Sequence, residues 1–399
     1  MMQFAARVGR VVTSPSTLAA QRAREMKAAG ADIVSLTTGE PDFPTPDHVT
    51  EAAFRAARAG QTRYTTVSGT PELKAAIIAK FKRENGLDYA TENVIVGNGG
   101  KHVLFNALMA TVEAGVEVVI PAPYWISYPE IVLLAGGTPR IVPCGAATGF
   151  KLTPATLEAQ ITPATRWLIL NSPSNPSGAV YSAGELAGLA EILLRQPQVA
   201  ILSDDIYEHI LFDDRRFATI AAVCPELKPR TLTLNGVSKT YAMTGWRLGY
   251  AGGPADLIRE MIKMLSQSTS APSSISQAAA VAALTGPQDF VAANSRSFEA
   301  RRDLAVGMLN QARGLVCRSP EGAFYAFPDC SALIGKRTPS GAVLETDKDV
   351  VLYLLEHGVA AVQGSAYGLS PHFRISLATS TEQLTEACQR IQRACAELR

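Results

Sequence analysis

The sequence predicts an α/β protein: a large domain with a mostly parallel seven-stranded sheet flanked by helices, joined to a smaller α/β domain. Three observations predict it. Seven short β-rich runs, NVIVG, VEVVI, TPRIV, RWLIL, VAILS, TLTLN and RLGYA, follow one another between residues 93 and 251. Helical patterns such as 101 to 112 and 182 to 195 separate them, which is the alternation of βαβ units. A chain of 399 residues is also long enough for two domains. Folded, it should leave about 15,000 Å² exposed and bury roughly three quarters of its extended surface.

Composition narrows the class. Apolar residues make up 47% and charged residues 18%, which excludes global disorder. With 37 Lys and Arg against 36 Asp and Glu the net charge is +1, and no run of four basic residues occurs. That excludes an electrostatic footprint for nucleic acid. Six cysteines at 144, 224, 317, 330, 388 and 395 form no CxxC pair and no zinc spacing, so they are expected as reduced packing residues. The opening MMQFAARVGRVV has Arg7 and Arg10 inside its apolar stretch, against a secretory leader. No uncharged apolar segment reaches the roughly 18 residues of a membrane-spanning helix. A cytoplasmic protein with neither membrane nor nucleic-acid partner is the expectation.

In chain order, a helix is expected over 16 to 29, then GEPDFPTP at 39 to 46, whose prolines bar a continuous helix and suit a loop crossing between domains. The seven-strand block follows. Long helical patterns come next near 254 to 268, 272 to 285 and 289 to 313, then a mixed tail over 315 to 399. The expected division is 47 to 288 for the large domain, with 1 to 46 and 289 to 399 forming the small one from both termini. Internal repeats, low-complexity tracts and heptad runs are absent from the sequence.

Parallel sheets bind ligands in loops beyond the carboxyl ends of their strands, so those loops are the ones to read. After TLTLN comes NGVSKTYAMTGWRLGY, with Lys239 and, eight residues on, Arg247. A lysine buried there has a lowered pKa and attacks carbonyls, forming a Schiff base with an aldehyde cofactor such as pyridoxal phosphate; a solvated turn lysine is the alternative. SDDIYEH sets Asp204 at a strand end with Tyr207 three residues on. Asp204 either keeps a pyridinium nitrogen protonated or caps a helix, and Tyr207 suits a hydrogen bond to the ring phenolate oxygen. In NSPSNPSG, Pro173 and Pro176 hold Asn175 rigid, as a second donor to that oxygen or as part of a plain turn. GNGGKH presents the N–H groups of Gly100 and Lys101 at a helix start, suited to a phosphate or to nothing more than a tight turn. It is neither a Walker loop nor GxGxxG, and Arg247 would add a bidentate clamp. Trp125 in PAPYWISY stacks on an aromatic ring or packs in the core. Arg374 in PHFRISLATS, facing inward, requires an anion, either a substrate carboxylate or a structural partner.

Taken together, LTTGEPDF, RYTTVSGTPELK, GGKH, PYWISYPE, NSPSNPSG, SDDIYEH, NGVSKTYAMTGWRLGY and FRISLATS resemble the class I aminotransferases of the fold type I pyridoxal phosphate enzymes, over nearly the whole chain and in the family's order. Bacterial aspartate aminotransferases are the nearest in look. The resemblance implies pyridoxal 5'-phosphate as cofactor and a ping-pong transfer from L-aspartate to 2-oxoglutarate, giving oxaloacetate and L-glutamate. It implies that Lys239 carries the cofactor and moves the substrate α-proton, that Asp204 meets the pyridine nitrogen, and that Asn175 and Tyr207 hold the phenolate oxygen. Trp125 would stack on the ring; Gly100, Lys101 and Arg247 would hold phosphate; Arg374 and the backbone of Gly39 would take the α-carboxylate. Tyr64 of RYTTVSG would reach the phosphate of the neighbouring subunit, implying a homodimer with shared sites. Lys101, helped by Ser14 and Ser16, is the candidate for a distal carboxylate. The sequence departs from the pattern at Gly236, where some members carry a phosphate-binding serine and Ser238 stands as a substitute, at His102 for a frequent glutamine, and at NPSG for NPTG. Other amino donors including aromatic ones, prephenate, a β-lyase reaction and a cofactor-sensing module are the competing readings; no DNA-binding segment precedes residue 16.

Overall fold

The computed structural model describes residues 2–399. Its strands are β1 Val34–Ser35, β2 Val94–Gly97, β3 Glu117–Ala122, β4 Thr138–Pro143, β5 Thr165–Asn171, β6 Ala200–Asp204, β7 Thr231–Gly236, β8 Gly249–Gly252, β9 Tyr325–Ala326, β10 Val359–Ala360, β11 Val362–Gln363 and β12 Phe373–Ser376. All seven sequence runs become strands of one sheet, ordered β2-β8-β7-β6-β5-β3-β4. Six strands run parallel; β8 alone is reversed, antiparallel to both β2 and β7. The cause lies in the β7–β8 connection, residues 237–248, which holds a single 3-10 turn at Thr244–Trp246 and no crossover helix to carry the chain back.

Both faces of the sheet are covered, and the period of two along each strand sorts side chains between them. Val118, Ile120, Ile169 and Leu202 join the apolar cluster that includes Leu104 and Leu108 of helix Gly100–Thr111. Their neighbours Val119, Leu168, Leu170 and Ile201 join the opposite one, with Leu186 and Leu189 of helix Ala183–Leu194. The strands therefore read as continuous apolar runs, as VAILS and RWLIL do.

A separate core gathers Val34 and Leu36 with residues from helix Asp289–Leu309 through to Leu398. Here β1 pairs in parallel with β10, and β11-β12-β9 form a small antiparallel sheet. Tyr207, Ile210 and Phe212 reach from the loop after β6 into this core. The expected helices appear at Pro15–Ala28, Ala255–Ser268 and Ser274–Thr285, the last capped by the Ser273 side chain. The helix expected over 289 to 313 stops at Leu309, because the chain turns toward Gly314, whose φ of 85° lies in the left-handed region. Solvent-accessible surface is 16780 Å². All six cysteines are free and buried, and among the described residues no helix is long and apolar enough to cross a membrane.

Candidate active site

The carboxyl ends of β2, β5, β6 and β7 open on one cavity of about 540 Å³. Thr37, Gly39 and Glu40 close it from one side, and Tyr325 and Arg374 of the small sheet from another. Lys239, Asp204, Tyr207, Asn175, Trp125, Gly100, Lys101, Arg247, Gly39, Arg374 and Ser16 all line it. Two expected residues do not. Ser14 stands behind Ser16, with the two hydroxyls 3.4 Å apart. Tyr64 lies outside the cavity and is 99% exposed.

Lys239 follows the end of β7 by three residues. Its Nζ donates to the Gly39 carbonyl at 2.5 Å and lies 5.7 Å from the centre of the Tyr207 ring. Loss of solvent pushes its amine down to about 8, against the opposing field of Glu40. The neutral, nucleophilic form is therefore populated close to neutral pH. Asp204 closes β6. Tyr128 Oη donates to its Oδ2 at 2.6 Å and Ile206 N–H to its Oδ1 at 3.4 Å. Burial pushes its carboxyl up to about 6, despite those donors and Lys239. Only a turn follows it, at 206 to 209, so it caps no helix.

Tyr207 shares a 2.8 Å hydrogen bond with the Tyr325 hydroxyl. Asn175 N–H donates to Asn171 Oδ1 at 2.9 Å, and its own Oδ1 accepts from Arg374 Nη1 at 3.1 Å. With its oxygen so engaged, its Nδ2 points its donors elsewhere. Arg374, 3% exposed, also donates from Nη2 to the Thr37 carbonyl at 2.6 Å and packs over the Tyr325 ring, 4.5 Å from its centre. Its Nε is buried without a partner among the described residues. A buried guanidinium facing one carbonyl and one amide, with one N–H unmatched, is a site built for an anion.

At the start of helix Gly100–Thr111 the backbone and Arg247 meet. A Cβ on Gly99 would collide with the Arg247 guanidinium, and one on Gly249 with the Gly100 nitrogen. Those two glycines let Arg247 and β8 lie directly against the helix N-terminus, where N–H groups and the dipole favour an anion. Arg247 is held at φ 52°, a strained left-handed conformation, and its Nη1 donates to the Thr244 carbonyl at 2.7 Å. Lys101 Nζ sits 4.8 Å from the centre of the Trp125 ring, its pKa lowered by burial and then by Arg247. Trp125 itself packs edge-on against Tyr128, with ring centres 5.3 Å apart. Gly236 has Ile206 Cδ1, Gly249 Cα and the Leu248 carbonyl within 3.2 Å of where a Cβ would stand, while Ser238 lines the cavity two residues on.

Sequence reasoning missed Tyr128, Tyr325, Thr37, Glu40 and Asn171. Tyr128, in the first turn of helix Ser127–Ala135, stands three residues after Trp125 and packs edge-on against it. Four cations, Lys101, Lys239, Arg247 and Arg374, thus face two carboxylates, Glu40 and Asp204, across one cavity. An uneven balance of that kind attracts ligands with more than one negative group.

Comparison with known proteins places the chain in a family. The profile of the family "Aminotransferase class I and II" matches residues 31–391. An aspartate/prephenate aminotransferase of Cereibacter sphaeroides is 58% identical over 98% of both chains. The crystal structure of an aspartate aminotransferase from Rhizobium meliloti is 55% identical and superposes with a TM-score of 0.98 over 100% of both chains. Another, the aspartate aminotransferase of Thermus thermophilus with maleate, is 40% identical with a TM-score of 0.93, covering 99% of this chain and 100% of that one. Identity on this scale over the full length makes this chain a member of the class I and II aminotransferase family and an aminotransferase.

Proposed function

We propose that this aminotransferase moves the amino group of L-aspartate to 2-oxoglutarate, with pyridoxal 5'-phosphate held in the cavity. The observation that carries the reading is the uneven charge of the site, four cations against two carboxylates, with a neutral-capable lysine at its centre. The residues present fit the cofactor: the Gly99 and Gly249 cradle and Arg247 suit its phosphate, and Asp204 suits a ring N–H. Bound there, pyridoxal phosphate supplies the aldehyde that accepts the amino group and a ring that stabilises charge at the α-carbon.

The chain's own groups do the rest. Asp204, buried and braced by Tyr128, becomes a fixed anion once a ring N–H faces it. Asn175 Nδ2 and the Tyr207 hydroxyl are the donors for the ring oxygen, and Trp125 offers its face to the ring. Lys239 takes the α-proton as a neutral amine and returns it, a role its lowered pKa suits. Arg374 accepts the α-carboxylate, with the Gly39 backbone beside it. Lys101, with Ser16 and behind it Ser14, takes a distal carboxylate. The maleate named with the Thermus relative is a dicarboxylate, which favours this choice. Prephenate, also a dicarboxylate, is the second amino acceptor we propose, on the printed names of relatives at 58% identity.

We further propose a cytoplasmic homodimer in which Tyr64 serves the partner's site, and a division into 47 to 288 and 1 to 46 with 289 to 399. The exposure of Tyr64 and the free, buried cysteines support the first two; the apolar core separate from those on the two faces of the large sheet supports the third.

The test is the visible absorption of the cofactor-loaded protein on adding L-aspartate alone, then 2-oxoglutarate. The band is expected to give way to the pyridoxamine form and then return. An unchanged band with aspartate would remove aspartate as donor and send the search to alanine, aromatic and sulfur amino acids. Release of pyruvate and ammonia from cysteine-like substrates would instead indicate a β-lyase.

A further inference from the structure

Behind the cavity lies a buried charge cluster that lines no part of it. Lys80, 1% exposed, projects from helix Pro71–Asn85 and pairs with Glu208 Oε1. Its Nζ also donates to Asn85 Oδ1 at 2.8 Å. Asn85 Nδ2 donates to Glu208 Oε2 at 2.7 Å, and Asn235 Nδ2 donates to Glu208 Oε1 at 2.7 Å. Burial alone would raise the Glu208 carboxyl, but Lys80 and His209 outweigh it and hold it below the ordinary value. Next along the chain, His209 Nδ1 meets Thr240 Oγ1 at 3.1 Å and its Nε2 meets Glu84 Oε2 at 3.1 Å. Ligand atoms of Glu84, Glu208 and His209 lie within 4.8 Å of one another, a spacing open to a metal ion. The Lys80 ammonium already stands against both carboxylates, 3.5 Å from Glu84, so the cluster contains its own cation and points to no metal.

Where these residues sit along the chain gives the cluster its meaning. Glu208 directly follows Tyr207 and is four residues past Asp204; Asn235 is four before Lys239, and Thr240 directly follows it. The helix therefore grips Glu208 and His209 from behind, and these two in turn hold Asn235 and Thr240 on either side of Lys239. A buried ion pair is a poor device for stability, since apolar residues of the same volume do as well or better, yet it fixes donors and acceptors in one arrangement. We infer that Lys80 and Glu208 are positioning residues for amino transfer, setting through Asn235 and His209 the spacing between the Asp204–Tyr207 turn and the Lys239 turn. The inference rests on the pocket reading proposed above.

The double variant Lys80→Met/Glu208→Gln tests it on the full-length, pyridoxal phosphate-loaded protein. It removes both charges together, leaves no buried ion unpaired, and retains an amide for Asn235, so folding should survive. The expected result is a loss of kcat of about tenfold, less than the roughly hundredfold of a 1 Å misplacement, with KM for L-aspartate little changed. The pH midpoint of the visible absorption should also move, by about half a unit or more, because a displaced Lys239 turn changes both its burial and its distances to the charges around it. Parental kcat and midpoint in a variant that melts like the parent would overturn the inference. Should the double variant not fold, Asn235→Ala decides: it leaves the ion pair intact and cuts its link to the Lys239 strand, and the same two changes are expected. Parental values there would equally overturn it. A parent protein that neither binds pyridoxal phosphate nor transaminates would take the pocket reading down first, which separates the two failures.

Discussion

Asp204 shows how a single residue can weigh stability against chemistry. Its carboxyl rises from 3.8 to about 6 because burial penalises the anion. Between those values the folded chain binds more protons than the unfolded one, so stability falls as pH rises through the window. Above pH 6 the whole penalty stands, on the order of 3 kcal/mol. Asp204→Asn should therefore melt higher than the parent at pH 7.5 in cofactor-free protein, with the gain gone near pH 3.5, where both states are protonated in the parent. The same variant should lose transamination by about a hundredfold or more, the scale for deleting one preorganised electrostatic partner. Thermal melts at the two pH values and a steady-state assay check both halves. Asp204, Lys239 and Arg374 were legible in the sequence only as a set: each alone admits a helix cap, a turn lysine or a structural ion partner, and their company with the other loop motifs points to one site. Tyr128 and Tyr325 were not, since a tyrosine in SYPEIVLLA or GAFYAF reads as core. Their hydroxyl partners, Asp204 and Tyr207, lie 76 and 118 residues away in sequence, beyond any local pattern.

At the scale of elements, the proposed phosphate end of the cavity depends on how closely β8 approaches helix Gly100–Thr111. Gly249 makes that approach, and a methyl there meets the Gly100 nitrogen and Cα and the Gly99 carbonyl carbon, all backbone. Backbone cannot swing aside as a side chain can, so Gly249→Ala should push strand and helix apart. Destabilisation of about 1–3 kcal/mol is expected from overpacking. Loss of one hydrogen bond to a charged phosphate should weaken pyridoxal phosphate by about tenfold or more. Fluorescence titration of the apoprotein with the cofactor measures it, and an unchanged Kd would show that the helix start does not hold the phosphate. The seven strands and most long helices were legible here, because apolar runs of strand length between helical patterns leave little freedom. The reversal of β8 was not, because RLGYA pairs equally well in either direction. Direction follows instead from a connection without a helix, and the NGVSKTYAMTGW segment gives that away only once its prospects as a helix are weighed.

For the whole molecule the surface carries the information. The chain exposes 16780 Å², above the roughly 15,000 Å² that scaling gives for a monomer of this size. Part of the excess is apolar and sits near the N-terminus: Met2, Phe4, Val8, Val12 and Leu18 are all exposed, with Tyr64 bare as well. Scattered exposed apolar residues are ordinary, but a string of them along one terminal segment suits an interface. In a two-fold dimer the same patch meets itself, so a residue lent to one site is lent to both. No periodicity in one chain reveals such a loan, so the role proposed for Tyr64 comes only through resemblance. Complementation tests it directly. Lys239→Ala protein should be inactive and Tyr64→Ala protein weakened; co-expressed, half their dimers are hybrids. Each hybrid has one site with an intact Lys239 and an intact Tyr64 from across the interface, so about a quarter of parental activity should appear. If Tyr64 serves its own subunit, that hybrid site is missing, and the mixture should give no more than the average of the two variants assayed alone.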